Sequence, residues 1–522
     1  MPAPFQVYTF SLENLKKVFL QNPEVSPELI HRKNQIAYLF GYLRDCGTKK
    51  FIVEENYIDK DYLEDFSYYY VRCFHHYEKF CKRLHFWGID FSEQQFKEIL
   101  AGNNPDKLIE LLKEHYKGFI VMKPLPNAQI GKTCLETYRH DDHRFFPTSR
   151  KYTANLFGIN FCVTSLAFQE QDHVVSACAT SALWSIFHKA GDIYHHPILS
   201  PVEITKRATE HLPLESRAFP NEGLSAEQMA NAIRSVGLEP YFIKAQNLYI
   251  MNSTLYAYLK GKIPAILGVF LINKSTKEII GKHAVAVTGY SLSTIETIPF
   301  KDREFKLVSS FIDKIYVHDD QLGPFAKMEM DVVPITYKKN DKKITNDAIA
   351  THWPDHDDSI GNIYAIPLMI IIPLYHKIRI PFEEIHDMVY MFDKFIHFLI
   401  LTNLVTFKDS FTWDIYLITV NDLKTIFFEK SDLERNERSS FLTHSMPHFI
   451  WRATAIKNKI PILDLLFDAT DVENGNIFFK AINYDKTITD QLHEFSKLDV
   501  VEEVYKYFPA WKIISWFRDK YN

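Results

Sequence analysis

The chain has 522 residues, and at roughly 100–200 residues per domain this excludes a single small module and implies more than one hydrophobic core. Apolar residues make up 46% and charged residues 24%, with 17 Gly and 24 Pro, which excludes a disordered or collagenous chain, and an aromatic share of 15% supplies bulky cores. The 60 Lys and Arg stand against 65 Asp and Glu, a formal net charge of −5 that offers no extended basic surface, so nucleic acid is not an expected partner.

Residues 1–150 read as an N-terminal mixed helical and strand domain. Ser11 is a candidate N-cap before LENLKKVFLQ, and the aromatic pattern from Asp61 to Phe86 predicts a long helix. The stretch GFIVMKPLPNAQIGKTCL (118–135) predicts a strand, a turn and a second strand. The polar segment Tyr138 to Tyr152 reads as a connection and marks the first boundary.

Residues 151–336 form the next expected unit. It opens with the strand-like INFCVTSLAF (159–168) and changes period at Cys178, where ACATSALWSIFHKAG places Ala179, Leu183, Ile186, Phe187 and Ala190 at helical spacing, with Gly191 as the stop. Ser225 to Gln228 has capping-box spacing before MANAIRSVG, and a third helix is expected at Thr254 to Lys260. Strands follow at 263–272, 282–291 and 313–320, so helices precede sheet and the fold class is α+β. Residues 337–362 are polar, with Lys338, Lys339, Lys342 and Lys343 set among Asn340 and Asp341, and read as a linker. Residues 363–522 read as a C-terminal mixed α/β domain: a strand over 368–380, a helix with Pro381 at its first position, a strand at 412–420 and a terminal amphipathic helix near Val501 to Trp516.

Cys46, Cys73, Cys81, Cys134, Cys162 and Cys178 fall at irregular spacings, a pattern of reduced thiols that favours a cytoplasmic compartment. The opening MPAPFQVYTFSLENLKKVF lacks the order of a secretory signal. The longest apolar run, Ile363 to Tyr375, has 13 residues broken by Pro367 and Pro373, short of the ~20 needed to span a bilayer, so no membrane partner is expected.

Chemistry concentrates around Cys178. At the first position of a helix its sulfur meets unpaired backbone N–H groups and the positive end of the dipole, which favour a thiolate. His283 opens the strand KHAVAVTGY and can serve as base, Asp319 or Asp320 ends the next strand and can orient the imidazole, and Gln171 or Gln169 can supply an amide donor to an oxyanion. The texts QDHVVSACATSALW, GLSAEQMANAIRSVGLEP, GKHAVAVTGY and IYVHDDQLGP, in this order, resemble papain-like cysteine peptidases, in particular the double-glycine leader peptidases that process bacteriocin precursors. The resemblance covers about residues 159–335. It implies a papain-like core with Cys178 as nucleophile, His283 as general base, Asp319 as orienter and Gln171 in the oxyanion hole. Gln171 precedes the cysteine by seven residues, one more than is usual in such peptidases; Ala-Cys-Ala replaces the common Asp-Cys-Gly, and Asp319-Asp320 replaces Asp-Pro. The long insert from Leu292 to Phe311 is expected to form a lid or binding loop.

The expected activity is a thiol hydrolase, a cysteine peptidase or isopeptidase acting on an amide bond of a protein or peptide substrate, with no cofactor. A Cys-dependent acyltransferase or deamidase, and a papain-fold binding or scaffold protein without turnover, are the alternatives. Cys73, His75, His76, Cys81 and His85 include zinc-ligand types, but along one helix Cys73, Cys81 and His85 would form a stripe instead of converging on an ion, so core packing is the expected role. His140, Asp141, Asp142 and His143 are expected in a solvated connector.

Overall fold

The protein was described from a computed structural model, which covers residues 4–519 apart from 23–24, 104–106, 139–142, 173, 176, 211–222, 246, 340–341, 352–361, 408–409, 430–434 and 474. His140, Asp141 and Asp142 therefore lie outside the described residues. The chain divides into two compact units, one of Met1–Gln246, Ile263–Ser291 and Lys314–Pro373, the other of Asn247–Lys262, Leu292–Asp313 and Leu374–Asn522. Helices and antiparallel sheets occur together, an α+β composition. Among the described residues no helix is long and apolar enough to cross a membrane.

The first unit begins with β1 (Phe5–Thr9), α1 (Leu12–Phe19), α2 (Pro27–Arg32), α3 (Asn34–Asp45), β2 (Lys50–Tyr57), α4 (Lys60–Tyr68), β3 (Cys81–Trp87), α5 (Glu93–Leu100), α6 (Leu108–Glu114), β4 (Tyr116–Met122) and β5 (Ile130–Leu135). The five strands pair antiparallel in sequence order. Ser11 caps α1 by accepting from Asn14 N at 3.1 Å, and the helix turns Leu15, Val18 and Phe19 into the core beside Ile36, Leu39 and Leu43 of α3. The long helix expected over Asp61 to Phe86 is instead α4, a 3-10 turn at Tyr70–Arg72 and the strand β3. β3 lies between β2 and β4, buried along nearly its whole length, and a short apolar run of that kind has no period to separate it from a helix.

Next come β6 (Arg144–Phe145), the hairpin β7 (Arg150–Leu156) and β8 (Ile159–Ser165), then α7 (Cys178–Tyr194), α8 (Pro201–Ala208), α9 (Ala226–Ser235) and β9 (Leu238–Lys244). α7 starts at Cys178 but continues past Gly191 to a left-handed cap at His195. Gly191 serves close packing: a Cβ there would sit 3.1 Å from His196 O and from Ile198 Cγ1. Ser225 and Gln228 form the capping box of α9, each side chain bonding the other residue's backbone N–H.

After α10 (Leu248–Lys260), which belongs to the second unit, the first unit resumes with β10 (Ala265–Asn273) and β11 (Ile279–Leu292). The chain crosses the second unit through β12 (Lys306–Leu307) and returns as β13 (Ile312–Asp319), β14 (Gly323–Lys339), β15 (Lys342–Thr351) and β16 (Ile363–Tyr375). β10, β11, β13, β14, β15 and β16 are neighbours in that order, and β16 pairs with β10 as well as β15, so six strands close a ring. The polar segment expected as a linker over 337–362 is, in its described part, the β14–β15 hairpin, with Val333 opposite Ala348 and Lys339 opposite Lys342. Its polar residues occupy one face of a period-two pattern whose other face sends Ile335, Tyr337 and Ala348 into a core with Phe270 and Ile366. The C-terminal boundary moves from 363 to 374, because β16 completes the ring.

The second unit adds α11 (Phe382–Leu401), β17 (Thr412–Thr419), α12 (Val420–Glu429), α13 (Arg435–Thr443), β18 (Phe449–Lys457), β19 (Ile460–Asp468), β20 (Phe478–Asn483), α14 (Lys486–Ser496), α15 (Asp499–Tyr505) and α16 (Trp511–Asp519). Its sheet runs β12-β17-β18-β19-β20. Pro381 is the N-cap of α11, one residue before its expected place, and the single terminal helix expected near Val501 to Trp516 is split at Pro509 into α15 and α16. The insert expected as a lid is packed: β12 pairs parallel with β17, Phe300 and Phe305 lie edge-on to Tyr390 of α11, and Tyr390 OH donates to Asp302 Oδ2 at 3.1 Å.

Candidate active site

Cys178 is half-buried at the N-terminus of a helix whose next twelve residues, Ala179 to Ala190, are all buried. Ala177, the N-cap, offers the helix no side-chain cap. The segment leading to the cysteine is pinned from several sides. Asp172 Oδ1 accepts from Val174 N at 2.8 Å and Val175 N at 2.6 Å, Tyr70 OH donates to Asp172 Oδ2 at 3.2 Å, and Thr205 Oγ1 of α8 donates to Val175 O at 2.7 Å. These tethers fix where α7 begins. Sequence reasoning passed over Asp172, although an Asp followed two and three residues later by free N–H groups is the signal of an Asx turn.

His283 lies on β11 opposite Val269 of β10, 5% exposed. Its Nε2 donates to Asp319 Oδ2 at 3.0 Å, and the Cys178 thiol is among the groups that raise the pKa of the same ring. Asp319 holds Nε2, which makes Nδ1 the ring nitrogen that could serve a thiol. Burial opposes charge on this imidazole, yet the Asp319 carboxylate, its hydrogen bond, the Cys178 thiol and the field of Asp320 outweigh it and hold its pKa well above the usual histidine value.

Asp319 is fixed in turn. Its Oδ1 accepts from Gln321 N at 2.8 Å and Leu322 N at 3.0 Å, and the turn closes at Gly323, whose φ of +158° suits glycine. A Cβ at Gly323 would overlap the Tyr38 ring, and Tyr38 OH donates to Pro324 O at 2.7 Å, so α3 buttresses the turn that carries the carboxylate. Of the two aspartates, Asp319 makes the hydrogen bond, while Asp320 Oδ1 stands 3.6 Å from His283 Nε2. Strict alternation would send Asp319 and Asp320 to opposite faces, but β13 ends at Asp319 and Asp320 already lies in the turn that follows, so both can approach one imidazole. Among the described residues neither oxygen of the buried Asp320 has a hydrogen-bond partner, and burial pushes its pKa up to about 7 against the lowering pull of His283. The preceding His318 is structural: Nδ1 accepts from Phe325 N, Nε2 donates to Leu166 O at 3.1 Å, and burial drives its pKa down to about 3.

The two glutamines differ. Gln171 is half-buried and has no hydrogen-bond partner among the described residues, whereas Gln169 is 5% exposed with a buried Nε2 that donates to nothing. Between them Glu170 is occupied, bonded to Ile130 N at 3.1 Å and paired with Lys33 at 2.6 Å.

All six cysteines are free thiols. Burial raises the pKa of Cys46 and of Cys134 to about 12 and that of Cys81 further, which suppresses their reactivity, while Cys162 is exposed on β8. Cys81 and His85 stand on β3, not on a helix, and His85 is engaged by Tyr116 OH at 2.7 Å and Glu54 at 3.3 Å. The sequence matches no protein-family model and no curated protein.

Proposed function

We propose that this chain is a thiol hydrolase of the papain-like class, a cysteine peptidase or isopeptidase that cleaves an amide bond of a protein or peptide through an acyl-Cys178 intermediate. The observation that carries the reading is one buried imidazole, His283, held through Nε2 by Asp319 at 3.0 Å and raised in pKa by that carboxylate and by the Cys178 thiol. In this reading the Cys178 proton resides on His283 and the thiolate attacks the carbonyl carbon, forming an S–C bond. His283 returns the proton to the leaving amine as the C–N bond breaks, and then draws a proton from the water that releases the acyl group. Asp319 keeps the ring oriented and supports its positive charge. The Cys178 N–H and the amide of Gln171 or of Gln169, whose donor is buried and unpaired among the described residues, would serve the oxyanion. The chemistry calls for no cofactor.

The test is alkylation with iodoacetamide across pH, read by peptide mapping, with exposed Cys162 as the internal reference. Cys178 is expected to react faster than Cys162 below pH 7, and His283→Ala to bring it to or below the reference rate; equal rates in the wild type would end the proposal. With a peptide substrate, His283→Ala is expected to lose about 10²–10⁴-fold in kcat/KM and Gln169→Ala or Gln171→Ala about 10²–10³-fold.

A further inference from the structure

The neighbourhood of Asp320 goes unused in that mechanism. Its carboxylate is 3% exposed, neither oxygen has a hydrogen-bond partner among the described residues, and it points at an imidazole nitrogen already held by a second carboxylate. A buried carboxylate without a donor is costly, and a cation is the species that would satisfy it. One ligand atom each from His283, Asp319 and Asp320 lie within 4.8 Å of one another. Bonds of about 2.0–2.2 Å in a tetrahedral zinc site place neighbouring ligand atoms about 3.3–3.6 Å apart. The spacing from Nε2 to Asp320 Oδ1, 3.6 Å, meets that range, and the 3.0 Å to Asp319 Oδ2 needs a shift of a few tenths of an ångström. An imidazole with two carboxylates suits zinc, whereas calcium takes six to eight oxygens and magnesium retains most of its waters.

We propose that His283, Asp319 and Asp320 form an inhibitory zinc site on the face of the imidazole remote from Cys178, with water as the fourth ligand. Zinc displaces the Nε2 proton, which leaves to solvent, and the ring keeps its proton on Nδ1 opposite the thiolate. Passing that proton to a leaving amine would create an imidazolate, so acyl transfer stalls while the sulfur stays nucleophilic. The inhibitory effect rests on the hydrolase reading; the binding of zinc does not.

The experiment titrates the full-length chain, stripped with a chelator, with zinc chloride alone, by calorimetry. One equivalent is expected to bind the wild type and Cys178→Ala with affinities within about threefold of each other, and Asp320→Asn, with folding verified by circular dichroism, to bind at least about tenfold more weakly. Zinc-saturated wild type is expected to remain alkylatable at Cys178. Loss of binding in Cys178→Ala, full binding in Asp320→Asn, protection of the thiol by zinc, or no uptake by the wild type would each overturn the site. Metal-free alkylation tests the hydrolase and zinc uptake by Cys178→Ala tests the metal site, so either can fail alone.

Discussion

Each unit buries an aspartate beside a cationic side chain, and the two are treated in opposite ways. In the second unit Asp464 is wholly buried: Oδ2 accepts from Arg452 Nε at 2.9 Å, Arg452 Nη2 at 2.7 Å and Tyr484 OH at 2.8 Å, Oδ1 accepts from Thr454 Oγ1 at 2.5 Å, and Arg452 Nη1 donates to Tyr416 OH at 3.0 Å. In the first unit Asp320 is buried to a similar degree beside His283 and accepts nothing among the described residues. A closed polar network rigidifies a core, whereas a carboxylate left open holds free energy that a proton or a cation can release. Arg452 and Asp464 thus read as architecture, and the Asp319-Asp320 pair as chemistry.

Removing the carboxylate from each region separates them most sharply. Asp464→Ala strands a buried guanidinium and is expected to cost about 3–5 kcal/mol, seen as an early unfolding transition in denaturant. Asp320→Asn is expected to act in the opposite direction. The native carboxyl keeps its proton up to about pH 7, whereas an unfolded aspartate ionises near 4, so stability falls as pH rises through that window and stays low above it. The asparagine variant escapes this fall, with a gain on the order of 1–4 kcal/mol above pH 7 that shrinks toward zero near pH 4, measurable as a pH series of urea midpoints. A gain of equal size at pH 4 would show that ionisation of Asp320 is not the cause. A smaller effect is expected from Gly323→Ala, which forces Tyr38 aside at a left-handed position: about 1–3 kcal/mol of stability and a slower alkylation of Cys178, with unchanged alkylation showing that the turn does not position Asp319.

What the sequence disclosed was local. The start of α7 at Cys178, the Ser225 capping box and the strand carrying His283 are each set by residues within a turn or two, and a short window shows them. The strand end at Asp319 was equally legible, but choosing between Asp319 and Asp320 depended on which carboxylate reaches His283 Nε2 across the sheet, a distance the text does not hold. The β14–β15 hairpin was hidden because its outward residues are as polar as a linker, and β3 because a buried aromatic strand mimics a helix. Gln169 and Asp320 stand out through hydrogen bonds they do not make, a property that exists only once a fold surrounds them.

The closure of the ring by β16 has a consequence in time. During synthesis α7 and its thiol leave the ribosome early, then the strand of His283, then that of Asp319, but β10 gains its second neighbour only when Ile363–Tyr375 emerges. Until then both the β10 edge and the end of the β14–β15 hairpin present unpaired backbone, open to wrong partners, and the walls of the candidate site are incomplete. A nascent chain therefore carries the Cys178 sulfur well before the sheet around His283 and Asp319 is complete.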